Sequence, residues 1–349
     1  MSLLPDAALL RIPAADGGLP VLLVAPHGTA PLAAAQPLVH DDADTQRTLA
    51  ERVADWHDEG SAEALDAAAA ALGAVGFRPT VPRAVLDLNR GWRGRAEAAE
   101  TLFGKGALDA WTGARLRPGA AEALQRHHAA ALATLAEASR GVQGFVELHS
   151  YGDLGSTYDR NAGGRPVRRA EAAIIDATPW ASAHPVGLAR LIPGDLRGTP
   201  WPLLRDVGDA LHARGFAPGP SPYPSQGPWA LSTRFLAARW FAWLGRTGRV
   251  PQACADALAA LAWTDEQSPA LDAALDGSGA PGPLDGVRDL ARVTGGWSHE
   301  AGDLGRRFLA EDGAFTVVAE LRVDRAAEGP AFGAAVAAGV RSWLDARPA

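Results

Sequence analysis

Cysteine is almost absent from this chain of 349 residues, in which Cys254 is the single cysteine. One cysteine cannot form a disulfide within the chain, and it cannot supply the several thiolates of a cysteine-based metal site. Long hydrophobic runs are missing as well, because no stretch approaches the ~18 apolar residues that a transmembrane helix needs. The sequence therefore excludes a disulfide scaffold and a thiolate metal centre, and it predicts no membrane span.

Positive charge is also scarce. The chain has 33 lysine and arginine residues against 40 aspartate and glutamate residues, which gives a formal net charge of −7. This balance argues against nucleic acid or an anionic membrane as a partner. The N-terminal segment MSLLPDAALLRIPAADGG has no basic region and is interrupted by proline, which is untypical of a secretory signal peptide. We therefore expect a cytoplasmic protein without nucleic-acid or membrane partners.

What the sequence does contain is an alternation of short apolar runs and alanine-rich helical stretches. The apolar runs predict buried strands at 19–25, 83–88, 144–148 and 315–321. Strands that alternate with helices predict an α/β fold of three layers, with a mostly parallel central sheet and helices on both faces. We expect a single domain over residues 1–349, with long loop insertions around 151–230 and 264–300.

Polar residues stand at or beside the carboxyl end of every predicted strand. In an open parallel α/β sheet the ligand crevice lies outside these strand ends. Each residue alone has an ordinary explanation, because a histidine after a strand is usually a hydrogen-bonded loop residue. A carboxylate inside an apolar run, however, must find a partner or be neutralised. Four such strand ends together favour a functional site, and its candidate residues are His27, Asp87, Asn89, Arg90, Glu147, His149 and Glu320.

Two histidines on strand ends suit a catalytic zinc site, which has three protein ligands and one open position for water. The third ligand should be histidine, aspartate or glutamate. Acidic residues are ordinary at the start of a helix, so their presence before the predicted helix of 39–56 does not decide the matter. The residues alone leave the third ligand open, and the candidates are His40, Asp41, Asp42, Asp44 and His57.

Taken in order, seven segments of the chain resemble the motifs of the N-formylglutamate amidohydrolase family, which is related in fold to zinc carboxypeptidases and aspartoacylases. The segments are APHGT, DDADT, LDLNR, QRHHAAALATL, VELHS, LSTRF and VVAEL. The resemblance spans residues ~15–325. It departs from the family pattern after the aspartate-rich segment, where Thr45 and Gln46 stand in place of a Trp-His pair.

The resemblance implies a Zn²⁺ cofactor and a division of roles among the motif residues. It implies that His27, Asp44 and His149 bind the metal, with Asp42 as the rival of Asp44. It implies that Glu320 acts first as general base and then as general acid. A glutamate within reach of zinc-bound water can take a proton from that water and pass it to the leaving amine.

The same resemblance implies residues that hold the substrate. Arg234 would stabilise the developing oxyanion or bind a carboxylate, and Asn89, Arg90 and Thr233 would bind the substrate. A guanidinium suits this task because its planar fork matches a carboxylate. The expected function is zinc-dependent hydrolysis of an N-formyl or N-acyl amide on a small, carboxylate-bearing, amino-acid-like substrate. A peptidase-like hydrolase that trims peptides and a catalytically silent binding relative are the alternatives.

Overall fold

The chain is described from a computed structural model. The described residues are 3–28, 31–92, 106–155, 164–175, 187–219, 230–264, 268–278, 282–294 and 299–347.

A mixed sheet of seven strands forms the centre of the fold, in the order β1-β3-β2-β4-β7-β5-β6. Strands β3, β2, β4 and β7 run parallel to one another, whereas β1 and β5 are antiparallel to their neighbours β3 and β7. The strands are β1 (Leu9–Ile12), β2 (Val21–Val24), β3 (Val75–Pro79), β4 (Gly144–Tyr151), β5 (Ala172–Ile175), β6 (Pro218–Gly219) and β7 (Phe315–Arg322).

Eleven α-helices accompany this sheet in the part of the chain that the structure describes. In chain order they are α1 (Ala43–Trp56), α2 (Ser61–Leu72), α3 (Ala110–Gly113), α4 (Ala120–Ala138), α5 (Trp201–Ala213), α6 (Leu231–Arg246), α7 (Gln252–Leu261), α8 (Pro269–Asp276), α9 (Val287–Thr294), α10 (His299–Asp312) and α11 (Gly329–Asp345).

Alternation along the buried strands divides the core into two layers. In β2, Val21 and Leu23 pack with α2, α5 and α11 on one face. Leu22 and Val24 pack with α1, α4 and α6 on the other face. A further apolar cluster joins α6 to α7, α8, α9 and α10. Successive strand residues point to opposite faces, so an all-apolar strand buries both. The predicted three-layer α/β fold is confirmed.

The strand predicted at 83–88 is wrong. These residues form successive turns, in which the amides of Val85 and Leu86 both donate to the carbonyl of Pro82. The run is apolar because Val85, Leu86 and Leu88 are buried against the second core layer. The parallel strand in this part of the chain is instead β3. The polar residues after it still reach the carboxyl edge of the sheet, since the turns follow the end of β3.

The predicted insertions contain secondary structure of their own. Helix α5 and strands β5 and β6 lie within 151–230, and helices α8 and α9 lie within 264–300. Among the described residues, no helix combines the length and hydrophobicity required to cross a membrane.

Candidate metal centre

The carboxyl ends of β2, β4 and β7 bring three polar side chains together. His27 follows β2 by three residues, and His149 lies within β4. Glu320 of β7 is the register partner of His149. Register partners on adjacent parallel strands point to the same face of the sheet, so Glu320 and His149 are lateral neighbours. All three side chains are buried, with exposed fractions between 5% and 7%.

Asp58 reaches the same place from the loop between α1 and α2. Its amide donates to the carbonyl oxygen of His27 over 3.1 Å. Gly60, at φ 81°, completes the loop, and a Cβ there would lie 2.5 Å from the carbonyl oxygen of Ala326. Only glycine adopts this backbone conformation without strain and allows so close an approach. The loop is therefore held against the end of the sheet, with Asp58 facing inward.

Both histidine rings present the same atom to the same carboxylate oxygen. Asp58 Oδ2 lies 3.1 Å from Nδ1 of His27 and 2.9 Å from Nδ1 of His149. The two ring centroids are 5.0 Å apart. One candidate ligand atom from each of the three residues lies within 4.8 Å of the others. Among the described residues, this buried group has the composition and spacing of a metal site.

A second carboxylate holds the far nitrogen of each ring. His27 Nε2 lies 2.8 Å from Asp87 Oδ1, and His149 Nε2 lies 3.1 Å from Glu147 Oε2. Metal-binding histidines commonly donate their outer ring nitrogen to a carboxylate, which fixes the tautomer and the orientation of the ring. Asp87 and Glu147 thus leave the Nδ1 atoms free to face Asp58.

Arg83 joins the carboxylates around His27. Its Nη1 donates to Asp58 Oδ1 over 2.9 Å, and its Nε donates to Asp87 Oδ2 over 3.3 Å. The single guanidinium therefore fixes the distance between two carboxylates that contact the same imidazole. Sequence reasoning missed Arg83, because a strand at 83–88 would place Arg83 about 13 Å from Asp87. The turns that the structure shows there bring the two side chains into contact.

The electrostatics of this group favour ionised carboxylates and charged histidine. Burial alone would raise the pKa of Asp58, but the charges of His27 and Arg83 hold it well below its ordinary range. Burial would lower the pKa of His149, but its hydrogen bonds to Asp58 and Glu147 prevail and raise the pKa to about 10. The centre thus attracts positive charge at the position that Asp58 shares with both rings.

The pKa of Glu320 is shifted in the opposite direction to that of Asp58. Burial raises its pKa to about 7, and the neighbouring charge of His149 only partly offsets this effect. Its carboxyl group makes no hydrogen bond or salt bridge with the residues that the structure describes. Glu320 therefore differs from Asp58, Asp87 and Glu147, whose carboxylates are all held by neighbouring donors.

The third member of the group differs from the prediction. Asp42 caps α1 by accepting from the amide of Thr45 over 2.9 Å. Asp44 is 74% exposed and pairs with Arg47 on the surface of the helix. Helix α1 has 14 residues, so roughly 20 Å of helix separates Asp44 from the loop that carries Asp58. The structure therefore places Asp58, and neither Asp44 nor its rival Asp42, beside the two histidines.

The sequence carried no comparable signal for Asp58. This residue lies after the end of α1, outside the aspartate-rich segment on which the resemblance depended. The stretch of acidic residues was misleading because it serves to start a helix.

Asn89 connects this centre to α6. Its Nδ2 donates to Glu147 Oε2 over 3.1 Å, and its Oδ1 accepts from the amide of Leu231 over 2.9 Å. The amide of Ser232 donates to Glu147 Oε1. The first amides of a helix have no partner within the helix, so Asn89 and Glu147 together cap α6. The substrate-binding role of Asn89 stays a prediction.

The remaining predicted residues lie beside these contacts. Arg90 Nε is 3.6 Å from Asp87 Oδ2, and the carbonyl of Arg90 lies 3.1 Å from Nε2 of His128. Arg234 is fully buried in α6, and its Nη1 donates to the carbonyls of Ala262 and Thr264. Thr233 is buried beside it. The substrate and oxyanion roles of these three residues stay predictions.

Comparison with known proteins gives a structural likeness. The crystal structure of an N-formylglutamate amidohydrolase from Ralstonia eutropha aligns with a TM-score of 0.50 over 97% of this chain and 98% of that one, at 12% identity. The two chains share a fold. A gene product from Agrobacterium tumefaciens aligns with a TM-score of 0.45 over 97% and 94% of the two chains, at 15% identity. No family model and no curated protein matches the chain.

Proposed function

We propose that this chain is a zinc-dependent amidohydrolase. It cleaves an N-formyl or N-acyl amide on a small substrate that carries a carboxylate. His27, Asp58 and His149 hold the metal, and Glu320 is the general base. The shared fold with an amidohydrolase of known structure is consistent with this proposal, but the argument depends on the arrangement of the centre itself.

The observation that carries the proposal is the convergence of two Nδ1 atoms on one oxygen of Asp58, with a carboxylate behind each ring. Two histidines and one carboxylate form a typical ligand set for catalytic zinc. The centre is buried, and Asp58 Oδ2 lies within hydrogen-bond distance of both Nδ1 atoms, so one cation at this position would contact all three residues. The residues present therefore fit a divalent metal.

Bound zinc supplies Lewis acidity and a water of lowered pKa. The chain supplies a base beside it, because Glu320 is the lateral neighbour of His149 and has no partner of its own among the described residues. A general base works best when its pKa lies near the working pH. In the metal-free chain burial raises the pKa of Glu320 to about 7, and a cation bound beside it would lower this value. Glu320 is then ionised at neutral pH and can accept a proton and return it to a leaving amine.

Arg90 is the proposed anchor for the substrate carboxylate. It lies on the same turn as Asp87 and is 14% exposed at its side chain. Its backbone carbonyl contacts His128 of α4, which fixes the position of the turn. A guanidinium held at the rim of the centre can bind a carboxylate through two parallel hydrogen bonds.

The test compares Asp58, which the structure places between the two rings, with Asp44, which the sequence predicted as the ligand. After zinc-replete expression and desalting, we expect about one zinc per chain in the wild type and in Asp44→Asn, but little in Asp58→Asn. Asp44→Asn is the matched control because it makes the same chemical change on the exposed face of α1. Equal zinc content in both variants would contradict the assignment of Asp58.

Activity is tested with the same preparations. Hydrolysis of N-formyl and N-acyl amino acids should require zinc. Glu320→Gln should retain zinc and lose turnover by about 10²–10⁴-fold, the usual contribution of a positioned base. Full turnover in Glu320→Gln would remove Glu320 from the mechanism. Loss of zinc in that variant would make Glu320 a ligand instead.

A further inference from the structure

A cavity of about 340 Å³ lies against the candidate metal centre. Three of the residues that line it are directly connected to the centre. Gly28 follows His27 in the chain, His57 precedes Asp58, and Arg83 donates to Asp58. The cavity therefore borders the residues that form the centre, beside the loop after α1 and the turns after β3.

The opposite wall is apolar. It is formed by the segment that leads into α1, by one face of α1 itself and by the start of the turns after β3. These lining residues are Pro31, Leu32, Ala50, Val53, Ala54 and Pro82. Ala50, Val53 and Ala54 have the spacing of one helical face. A concave, mostly apolar wall with a few polar groups at one end is the usual form of a small-molecule site.

The charge at the cavity favours an uncharged group. Arg83 is the one permanently charged side chain among the described lining residues. Its guanidinium already faces two carboxylates, those of Asp58 and Asp87. Among the described lining residues, a carboxylate in this cavity would therefore meet no cation other than one that two carboxylates already hold, whereas an apolar group needs no such partner.

We propose that this cavity binds an apolar substituent of the amide substrate, a branched aliphatic or phenyl group, while the amide lies at the metal centre. This inference rests on the proposed function for the position of the amide. An engineered cavity of about 150 Å³ holds a benzene molecule, so the volume here accommodates a phenyl ring or a medium-length alkyl chain. The substrate is thus an amino-acid-like amide with an apolar group rather than a second carboxylate.

Either side of the amide could supply the apolar group, and two substrate series distinguish them. One series varies the amino-acid side chain: N-formylglycine, N-formylglutamate, N-formylleucine and N-formylphenylalanine. The other varies the acyl chain on glycine: formyl, butyryl and hexanoyl. In one series, kcat/KM should rise by about 10- to 150-fold from the smallest to the largest apolar group, the effect of burying such a side chain. N-formylglutamate should gain nothing over N-formylglycine.

Variants of α1 locate the effect. Ala50→Phe and Ala54→Phe place a ring in the cavity and should abolish the preference for the larger group. Ala43→Phe is the matched control, because Ala43 begins the same helix, is exposed and does not line the cavity. Circular dichroism checks that each variant is folded. If Ala50→Phe does not fold, Ala54→Phe provides the same test. The proposal would be overturned if kcat/KM did not rise with the size of the apolar group in either series. It would also be overturned if the preference for the larger group remained in both Ala50→Phe and Ala54→Phe.

Binding to the metal-free protein separates this inference from the proposed function. With a chelator present, N-formylphenylalanine and N-hexanoylglycine are titrated calorimetrically against the wild type, Ala50→Phe and Ala43→Phe. The better ligand should bind the wild type and Ala43→Phe but at least tenfold more weakly to Ala50→Phe. If this binding is observed but no preparation hydrolyses the amides, the cavity binds the apolar group and the proposed amidohydrolase function is wrong. If the amides are hydrolysed but the variants bind equally, the proposed function stands and the role of the cavity is wrong.

Discussion

Replacing Glu320 with glutamine tests the buried carboxyl group while almost preserving its shape. In the metal-free native protein the pKa of Glu320 is raised from an ordinary 4.5 to about 7. Between these two values the native chain retains a proton that the unfolded chain has released. Unfolding therefore releases a proton, and a rise in pH favours unfolding. The stabilising contribution is complete below pH 4.5 and is lost as the pH approaches 7.

The size of this contribution to the free energy of unfolding follows from the difference between the two pKa values, which corresponds to about 3 kcal/mol. Glu320 is only 7% exposed, so solvent screening removes little of it. Other carboxylates, such as Asp58 and Glu147, have lowered pKa values and lose stability as the pH falls. They are present in both proteins, so their direct contributions cancel when wild type and Glu320→Gln are compared.

The assay is urea unfolding of both proteins in the presence of a chelator, at intervals from pH 4.5 to pH 8. Relative to wild type, Glu320→Gln should gain about 3 kcal/mol of unfolding free energy across this range. Glu311→Gln is the control, because the carboxylate of Glu311 pairs with Arg307 on the surface and its pKa is lowered. A difference between Glu320→Gln and wild type that stays constant with pH would refute the reasoning.

Two further predictions concern the packing of α11 and the outer partner of His27. Gly333→Ala should lose at least about 2 kcal/mol in urea unfolding, because its Cβ would lie 2.0 Å from the carbonyl oxygen of Ala64 in α2. At Gly208 in α5 an added Cβ would contact no atom outside its own helix, so Gly208→Ala should raise the free energy of unfolding by up to about 1 kcal/mol. If both variants lost the same free energy of unfolding, the packing argument would be wrong. Asp87→Asn should weaken zinc affinity about 10–100-fold in competition with a chromophoric chelator, because His27 loses its outer partner. Unchanged affinity would show that Asp87 does not orient the ring.

The sequence sufficed for the features that depend on a local pattern and one general rule. Apolar runs predicted β2, β4 and β7, and parallel strands place their carboxyl ends at one edge of the sheet. His27, His149 and Glu320 were therefore predicted to converge, and the structure brings them together. The prediction did not need any contact between distant segments to be known in advance.

Features that depend on tertiary contacts could not be obtained in this way. The position of Asp58 is set by a hydrogen bond from its amide to His27 and by the approach of Gly60 to Ala326. Neither contact has a local pattern. The run at 83–88 looked like a strand because burial against the second core layer selects apolar residues in turns as well as in strands.

The place of β7 in the sheet has a consequence for folding during synthesis. Its eight residues pair with β4 from Gly144↔Phe315 to Tyr151↔Arg322, across a separation of about 170 positions. At the usual rate of translation, β4 waits roughly 10–30 s for this partner after it leaves the ribosome. Throughout that interval one side of an apolar strand is unpaired, and such an edge can pair with other chains. Nascent chains stalled in this interval would be the form most in need of a chaperone.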